Sequence, residues 1–317
     1  MAADITFVIC TRGRSAHLDK TLDSLREQTR GGFPVVVVDQ SEAPDRRLER
    51  RADADPLLTV IRDTGRGATR ARNIGCRAAE SEWVVFLDDD CRPQPDWVAQ
   101  LDQAVERRPE ASLISGHVEA GGELPSDDYL PVAWSEVDEE KIVSGRWNLP
   151  WRIGFSLCQA VRRGVVWEIG GWDELLGPGT ADFPSADDMD FNYRFLRGGN
   201  VAYVTPRLRA VHEQWRSDAE LGPLWEGYMR GWIGFAVKHL RTGDVIGGLW
   251  LWSWGLVDTA GNLASALKRR STLRLRITGH KARGLVVATV RALRTDWSAS
   301  AQPGSVPSAS TLPGQAR

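Results

Sequence analysis

The sequence has few cysteines, and their positions exclude the sites that cysteine residues commonly build. The 317-residue chain contains four, Cys10, Cys76, Cys91 and Cys158, and no two of them form a C-x-x-C pair. We therefore expect neither a structural zinc site nor a disulfide framework. Reduced, buried thiols are the simplest interpretation of all four.

The first residues lack the features of an export signal. No basic leader precedes the segment DITFVICTR, and its apolar run of about six residues is too short for a secretory signal peptide. We therefore expect a cytoplasmic protein. Hydrophobic residues make up 42% of the chain, which is enough for the core of one large domain or two modest ones.

The net charge of −2 conceals an uneven distribution along the chain. Residues 268–317 carry ten Lys and Arg against one acid, so the remainder has a net charge of −11. Between Lys268 and Arg294 there are nine basic residues and no acid at all. This pattern predicts a surface that binds an anionic partner such as a phospholipid membrane. We do not expect a nucleic acid partner.

Apolar runs of four to six residues alternate with segments of helical periodicity through residues 1–120. The runs predict strands over 5–10, 35–39, 58–62, 83–88 and 112–119. The intervening segments predict helices around Leu18, Leu22 and Leu25, over 68–79 and over 96–107. This alternation indicates an α/β fold, a Rossmann-like and mostly parallel sheet flanked by helices. Ligands of such sheets bind beyond the carboxyl ends of the strands.

One predicted strand ends in three consecutive acids. It lies in the segment WVVFLDDDCRPQP, which starts at Trp83. Asp88 and Asp90 are two residues apart and point the same way in extended backbone, so their charges repel. A divalent cation would relieve that repulsion, and oxygen ligands suit Mg²⁺ or Mn²⁺. A solvated acidic turn is the other interpretation. Polar groups at other strand ends favour a site: Asp39 ends VVVVD, and arginines open the predicted helix in GRGATRARNIG.

Seven segments occur in the order that is typical of one enzyme family, and the seven together are specific. Together they make the chain resemble the family 2 inverting glycosyltransferases, which have a glycosyltransferase-A fold, over roughly residues 4–240. The seven are CTRGR after the opening strand, VVVVDQSE, GATRARNIG, FLDDDCRPQPDWV, GGWDELLGPGT, SADDMDFNYRFLRGG and VHEQW.

The resemblance implies a role for each matching residue. Nucleotide-sugar contacts fall on Thr11, Arg12, Asp39, Arg72, Asn73, Asp88 and Asp89, with Asp39 accepting a hydrogen bond from the base. Metal ligands fall on Asp90 and His212, and the implied cofactor is a divalent metal, Mn²⁺ or Mg²⁺. Candidates on the acceptor side are Trp172, Asp173 and Asp187.

The catalytic base is expected at Asp188. In the glutamate-aspartate motif of the family the aspartate is the base, and here Asp187 replaces the glutamate while Asp188 keeps the aspartate position. Asp190 has Arg194 one helical turn later as a partner, which leaves Asp188 freer to accept a proton. An ordinary helix start, with a serine cap followed by acids, explains the same residues without catalysis.

The resemblance divides the chain into a catalytic domain over 1–220 and a helical, Trp-rich and basic C-terminal region over 221–297. The nucleotide-binding half covers about 1–120 and the acceptor-binding half about 121–220, and residues 298–317 are expected to be a disordered tail. The apolar stretch 245–267 has 23 residues, enough to cross a bilayer. Asp258, Asn262 and four glycines favour a helix lying in the membrane interface instead. Dimer contact and plain core remain alternatives.

The expected function is transfer of a sugar from a nucleotide-diphosphate donor to an acceptor hydroxyl with inversion, in cell-envelope polysaccharide or glycolipid biosynthesis. The acceptor is a saccharide or a lipid-linked saccharide, and the protein is peripheral on the inner face of the cell membrane. The Q-x-x-R-W motif and multiple spans of processive synthases are absent, so a non-processive enzyme is expected. A sugar-nucleotide-forming nucleotidyltransferase and a non-catalytic, membrane-docked nucleotide-binding module are the alternatives.

Overall fold

A computed structural model describes residues 2–122, 129–214 and 216–300. Residues 301–317 of the predicted tail, and Trp215 of the VHEQW segment, lie outside the described residues. The strands are β1 Ile5–Thr11, β2 Val35–Asp39, β3 Leu58–Arg62, β4 Trp83–Asp88, β5 Cys91–Pro93, β6 Leu113–Gly121, β7 Lys141–Ser144, β8 Cys158–Arg162 and β9 Val201–Glu213. The helices are α1 Ser15–Arg26, α2 Arg46–Ala54, α3 Ala68–Ala78, α4 Trp97–Arg107, α5 Arg163–Glu168, α6 Asp187–Arg197, α7 Asp218–Arg241, α8 Val245–Arg269 and α9 Thr272–Arg294, with a 3₁₀ helix at Pro150–Ile153.

The described strands form one mixed sheet in the order β3-β2-β1-β4-β8-β6-β9-β5, and β7 pairs with the first part of β9. Strands β3, β2, β1 and β4 are parallel, as the alternating pattern predicts. The predicted strand near 112–119 is confirmed as β6, but it does not follow β4 in the sheet. Strand β8 lies between them and is antiparallel to both.

Burial on both faces explains why the first strands read as unbroken apolar runs. All five residues of β2 are buried, and helices cover each side of the sheet with a separate apolar core. Helix α3 packs so closely that a Cβ added at Gly75 would lie 2.3 Å from Val8 Cγ1. Only glycine allows this approach, which fixes how α3 presents its first turn at the end of β1.

The predicted helices are confirmed as α1, α3 and α4, whereas α2 was not predicted. Leu48 is the only buried residue of α2, so this arginine-rich helix shows little apolar periodicity. The local signal was its cap: Asp45 accepts hydrogen bonds from the backbone N–H groups of Arg47 and Leu48.

Helices α7, α8 and α9 pack against one another and form the C-terminal region. The polar residues within 245–267 face α9: Asp258 pairs with Lys281 at 2.9 Å, and Asn262 donates to the hydroxyl of Thr278 at 2.8 Å. Among the described residues, no helix combines the length and apolar character that a membrane crossing requires. The region instead carries an exposed apolar face, defined by Val245, Ile246, Leu249, Leu256, Val257, Leu263 and Leu267 of α8 and Leu275, Val286, Val290 and Leu293 of α9.

Candidate active site

The ends of several strands bring the predicted site residues to one edge of the sheet. Strands β1 and β2 end side by side with Thr11 opposite Asp39, and β4, the other neighbour of β1, ends at Asp88. His212, near the end of β9, lies opposite Cys91 of β5. Residues far apart in sequence therefore meet where parallel sheets bind ligands.

Two arginines balance the charges of the three consecutive aspartates. Asp88 accepts a hydrogen bond of 2.9 Å from Arg72. The guanidinium of Arg14 contacts Asp89 at 2.7 Å and Asp90 at 2.9 Å. The protein therefore supplies two cations of its own that reduce the repulsion among these acids.

Arg14 is a site residue that the sequence analysis missed. It is the second arginine of CTRGR, and its position three residues after β1 was the available signal. Thr11, at the end of β1, donates its hydroxyl to Asp89 at 2.7 Å. Burial, together with the charges of Asp90 and Asp88, raises the pKa of Asp89 to about 7, although Arg14 opposes the shift.

Asp90, Cys91 and His212 form a group whose ligand atoms lie within 4.8 Å of one another. His212 Nε2 is 3.4 Å from Asp90 Oδ1, and its Nδ1 contacts the side-chain amide of Gln214 at 2.9 Å. Burial raises the pKa of the Cys91 thiol well above its usual value, and thiolate ligands suit softer metals than Mn²⁺ or Mg²⁺. A carboxylate and an imidazole together fit Mn²⁺, so the residues present suit the implied metal.

Arg72, at the start of the second turn of α3, connects the sheet edge to helix α6. Besides Asp88, its guanidinium donates to Asp187, and it lies 4.7 Å above the ring of Trp172. Asn73 fixes that ring by exchanging two hydrogen bonds of 2.9 Å with the backbone of Trp172. Trp172 and Asp187, both predicted for the acceptor side, are thus held by α3.

Asp188 enters the site at the start of α6. Ala186, the residue directly before α6, has φ of 62° in the left-handed region, which is strained for a residue with a Cβ. Met189 N–H donates to Asp188 Oδ1 at 2.8 Å, and the Asp188 side chain is half-buried. Burial and the neighbouring charge of Asp187 raise the pKa of Asp188 to about 7, against the opposing effect of Arg72.

The remaining acid of α6, Asp190, is fully buried among basic side chains. Arg194 lies 2.7 Å away, which confirms the predicted pair, and Lys238 and His239 of α7 lie at 2.7 and 2.9 Å. Lys238 also contacts Asp173 at 2.5 Å. These five residues are called the α6–α7 ion cluster. Asp173, predicted for the acceptor side, is 1% exposed and belongs to this cluster.

Two nucleotide-site candidates lie at the β1–β2 side of the edge. Arg12 is exposed, with a guanidinium nitrogen 3.5 Å from Glu42. Asp39 is 1% exposed and accepts hydrogen bonds from Arg62 and from the backbone N–H of Ser41. A nucleotide base would therefore share Asp39 with Arg62.

A cleft of about 560 Å³ runs from these acids to the C-terminal helices. The sheet edge contributes Arg72, Asp88, Asp187 and Asp188. Most of the other lining is apolar and aromatic: Pro131, Ala133, Trp134, Trp151, Phe155, Leu157, Pro178, Met189, Trp225, Tyr228, Met229, Trp232, Trp254 and Val257. The apolar and aromatic lining residues over 131–189 fall within the predicted acceptor-binding half, although none of them was named individually. The tryptophans of α7 and α8 were instead attributed to membrane contact.

Comparison with known proteins identifies the family. The model of the family described as Glycosyl transferase family 2 matches residues 6–170, more than half of the chain. The chain belongs to this family. It is therefore a glycosyltransferase, and the match favours this function over the nucleotidyltransferase and the non-catalytic module.

Relatives of the glycosyltransferase agree with this assignment. An uncharacterized glycosyltransferase from Haemophilus influenzae is 25% identical over 61% of this chain and 62% of its own length. A glucosyl-dolichyl phosphate glucuronosyltransferase from Haloferax volcanii is 26% identical over 71% of this chain and 76% of its own. The chain thus covers less than two thirds of the Haemophilus relative.

A solved structure supports the fold. A mannosyltransferase from Pyrobaculum calidifontis in complex with GDP-Man and Mn²⁺ superposes with a TM-score of 0.59 at 20% identity. The superposition covers 92% of this chain and 88% of the mannosyltransferase. The glycosyltransferase-A fold, with its mixed and mostly parallel sheet, is therefore confirmed.

Proposed function

We propose that this glycosyltransferase moves a sugar from a nucleotide-diphosphate donor to an acceptor hydroxyl with inversion, one sugar per encounter. The observation that carries the proposal is the difference among the three acids of α6. Arg72 holds Asp187, and the α6–α7 ion cluster holds Asp190. Asp187 and Asp188 both line the cleft, but Asp188 is the one that Arg72 does not hold, and its pKa of about 7 suits a general base at neutral pH.

In the proposed reaction, Asp188 accepts the proton of the acceptor hydroxyl. The hydroxyl oxygen forms a bond to the anomeric carbon while the bond from that carbon to the diphosphate breaks, and the diphosphate leaves with the electron pair. Arg72 orients Asp187 and Asp88 beside the reacting groups, and Arg14 carries positive charge at the sheet edge. An assay with a panel of nucleotide sugars tests the proposal: it fails if no sugar is transferred to any acceptor and no nucleotide diphosphate binds.

Donor binding is assigned to the sheet edge and acceptor binding to the cleft. Thr11, Arg12, Asp39, Asn73 and Asp89 lie on the donor side, in the half of the chain over about 1–120. The acceptor side is proposed to include 121–220 and to extend into α7–α9, because those helices line most of the cleft.

Asp90 and His212 are proposed to hold a divalent cation, Mn²⁺ or Mg²⁺. Such a cation would offset the charge that develops on the departing diphosphate. Burial lowers the pKa of His212, but the adjacent Asp90 carboxylate outweighs this effect and raises it above its ordinary value. A cation at this site would therefore compete with a proton on the ring.

A titration of UDP and GDP with and without Mn²⁺ tests the cation site. We expect the parent protein to bind at least one nucleotide several-fold more tightly with Mn²⁺, and Asp90→Ala to abolish the difference. Asp96→Ala, which removes an exposed acid from the same segment, should keep it. Equal affinity of the parent protein in Mn²⁺ and in excess chelator would contradict a metal-bridged donor.

Peripheral attachment to an anionic membrane, on the inner face of the cell membrane, is proposed for the C-terminal helices. Their exposed apolar face is larger than single scattered surface residues would give. Lys268, Arg269 and Arg270 are exposed at the turn between α8 and α9, directly after exposed Leu267. Apolar side chains next to cations are typical of helices that lie in the membrane interface.

Sedimentation with anionic vesicles tests this attachment. We expect replacement of Lys268, Arg269 and Arg270 by glutamine to weaken binding at least about tenfold at low salt, because each cation near the surface contributes about 1 kcal/mol. A matched control replaces Arg46, Arg47 and Arg50, which are exposed on α2. If both triple variants sediment like the parent protein, or the parent protein stays in the supernatant, the attachment is wrong.

A further inference from the structure

The cleft beside Asp188 has walls that offer few hydrogen bonds. Met189, the residue directly after the proposed base, already belongs to the apolar wall, as does Met229 of α7. Trp232 donates its indole N–H to the carbonyl of Leu251 at 2.8 Å, so only its ring is available to a ligand. Trp151 packs edge-to-face on Trp254 at 5.3 Å between ring centroids. These walls suit hydrocarbon better than a chain of sugar hydroxyls.

The apolar wall is continuous with the exposed apolar face of α8. Val257 lines the cleft and is 55% exposed, so it belongs to both surfaces. Its neighbour Leu256 is 48% exposed. A hydrocarbon chain inside the cleft could therefore leave the protein along α8 without crossing a polar rim. Asp258 and Lys281 also line the cleft, but they form an ion pair of 2.9 Å, so their charges neutralise each other.

We propose that the acceptor is an amphiphile whose hydrocarbon part occupies the Trp-lined cleft and leaves it beside Val257, with its hydroxyl at Asp188. This inference rests on the proposed function, since it names the substrate class of the same site. It commits to a lipid-linked acceptor over a free saccharide. The lipid and the exposed apolar face would then share one membrane, and the acceptor would reach the base without entering water.

Binding of alkyl glucosides tests recognition of the hydrocarbon chain separately from catalysis. Methyl, octyl and dodecyl β-glucoside, below their critical micelle concentrations, are titrated into the full chain without vesicles, and affinity is measured by calorimetry. We expect dodecyl glucoside to bind at least about a hundredfold more tightly than methyl glucoside, because each buried methylene adds to the affinity. Cellotriose, a saccharide with no tail, should bind no better than methyl glucoside.

A matched pair of variants assigns the effect to the cleft. Val257→Asp places a charge at its mouth, and we expect it to weaken binding of dodecyl glucoside about tenfold or more while nucleotide binding is unchanged. Val286→Asp adds the same charge to α9 at a position that is 61% exposed and does not line the cleft, and it should leave the affinity for dodecyl glucoside unchanged. Both variants replace an exposed valine with aspartate, so a difference between them is attributed to the cleft and not to the loss of an exposed apolar side chain.

The outcomes distinguish this inference from the proposed function. Equal binding of dodecyl and methyl glucoside, tight binding of cellotriose, or equal weakening by both variants would overturn the lipid acceptor while leaving sugar transfer intact. Loss of nucleotide binding and of transfer to every acceptor would overturn the proposed function instead. Because the affinities are measured without turnover, an inactive preparation still decides the question.

Discussion

Replacing Asp188 with asparagine is expected to slow sugar transfer at least about a hundredfold while the protein stays folded and binds its donor. Asparagine keeps the size of the side chain but cannot accept the acceptor's proton, and a general base contributes on the order of 10²–10⁴-fold in rate. Loss of a charge in the first turn of a helix costs only about 0.3–1 kcal/mol. Steady-state kinetics with a thermal melt of the same preparation measures both effects.

The pH dependence of kcat/KM provides a second test of the base. Asp188 must be ionised to accept a proton, so the rate of the parent protein should rise with pH through about 7. Asp187→Asn is the matched control: it removes a charge that raises the pKa of Asp188, so the midpoint should move to lower pH with a smaller loss of rate. A near-parental rate for Asp188→Asn would place the base elsewhere.

Asp190→Asn, the same substitution two residues further on, is expected to destabilise the fold by about 3–5 kcal/mol. It would leave Arg194, Lys238 and His239 buried with one fewer negative charge among them. Denaturant unfolding of the three asparagine variants of α6 measures the contrast. Parental stability of Asp190→Asn would show that the α6–α7 ion cluster does not hold the helices together.

The sign of the pH effect on stability follows from the same cluster. Burial alone would raise the pKa of Asp190, but the charges of Arg194 and Lys238 outweigh it and hold this pKa well below the usual range. The stabilisation is therefore complete above about pH 4, the unfolded pKa, and is lost as pH falls toward the folded pKa. The gap in unfolding free energy between parent and Asp190→Asn should shrink on acidification.

The sequence predicted the donor side of the fold well, because that side is encoded locally. Runs such as that of β2 are buried on both faces, and the acids and arginines that follow the strands must meet at one edge. The position of β8 between β4 and β6 could not be read in the same way, since five residues over 158–162 carry no signal of their partners. Pairing across so long a separation is decided by the packed fold.

The residues that line the cleft on the proposed acceptor side were harder to predict from the sequence. The cleft is lined by side chains from the segment 129–157 and from α6 to α9. A high tryptophan content in the sequence does not indicate whether the rings face lipid, the protein core or a ligand. Arg14 was missed because an arginine near a turn is common, and only the fold brings it to Asp89 and Asp90. Asp173, by contrast, has a fully buried side chain in contact with Lys238, which sequence spacing does not indicate.

The division of the cleft between two parts of the chain bears on how this enzyme could be re-engineered. The proposed donor residues all lie before residue 214, whereas the far wall of the cleft belongs to α7–α9. A chimera that exchanges only those three helices should therefore inherit a new acceptor preference and keep its nucleotide preference. The exchange requires that the incoming α7 carry hydrogen-bond donors to Asp190 in the positions of Lys238 and His239, because these two side chains connect α7 to α6.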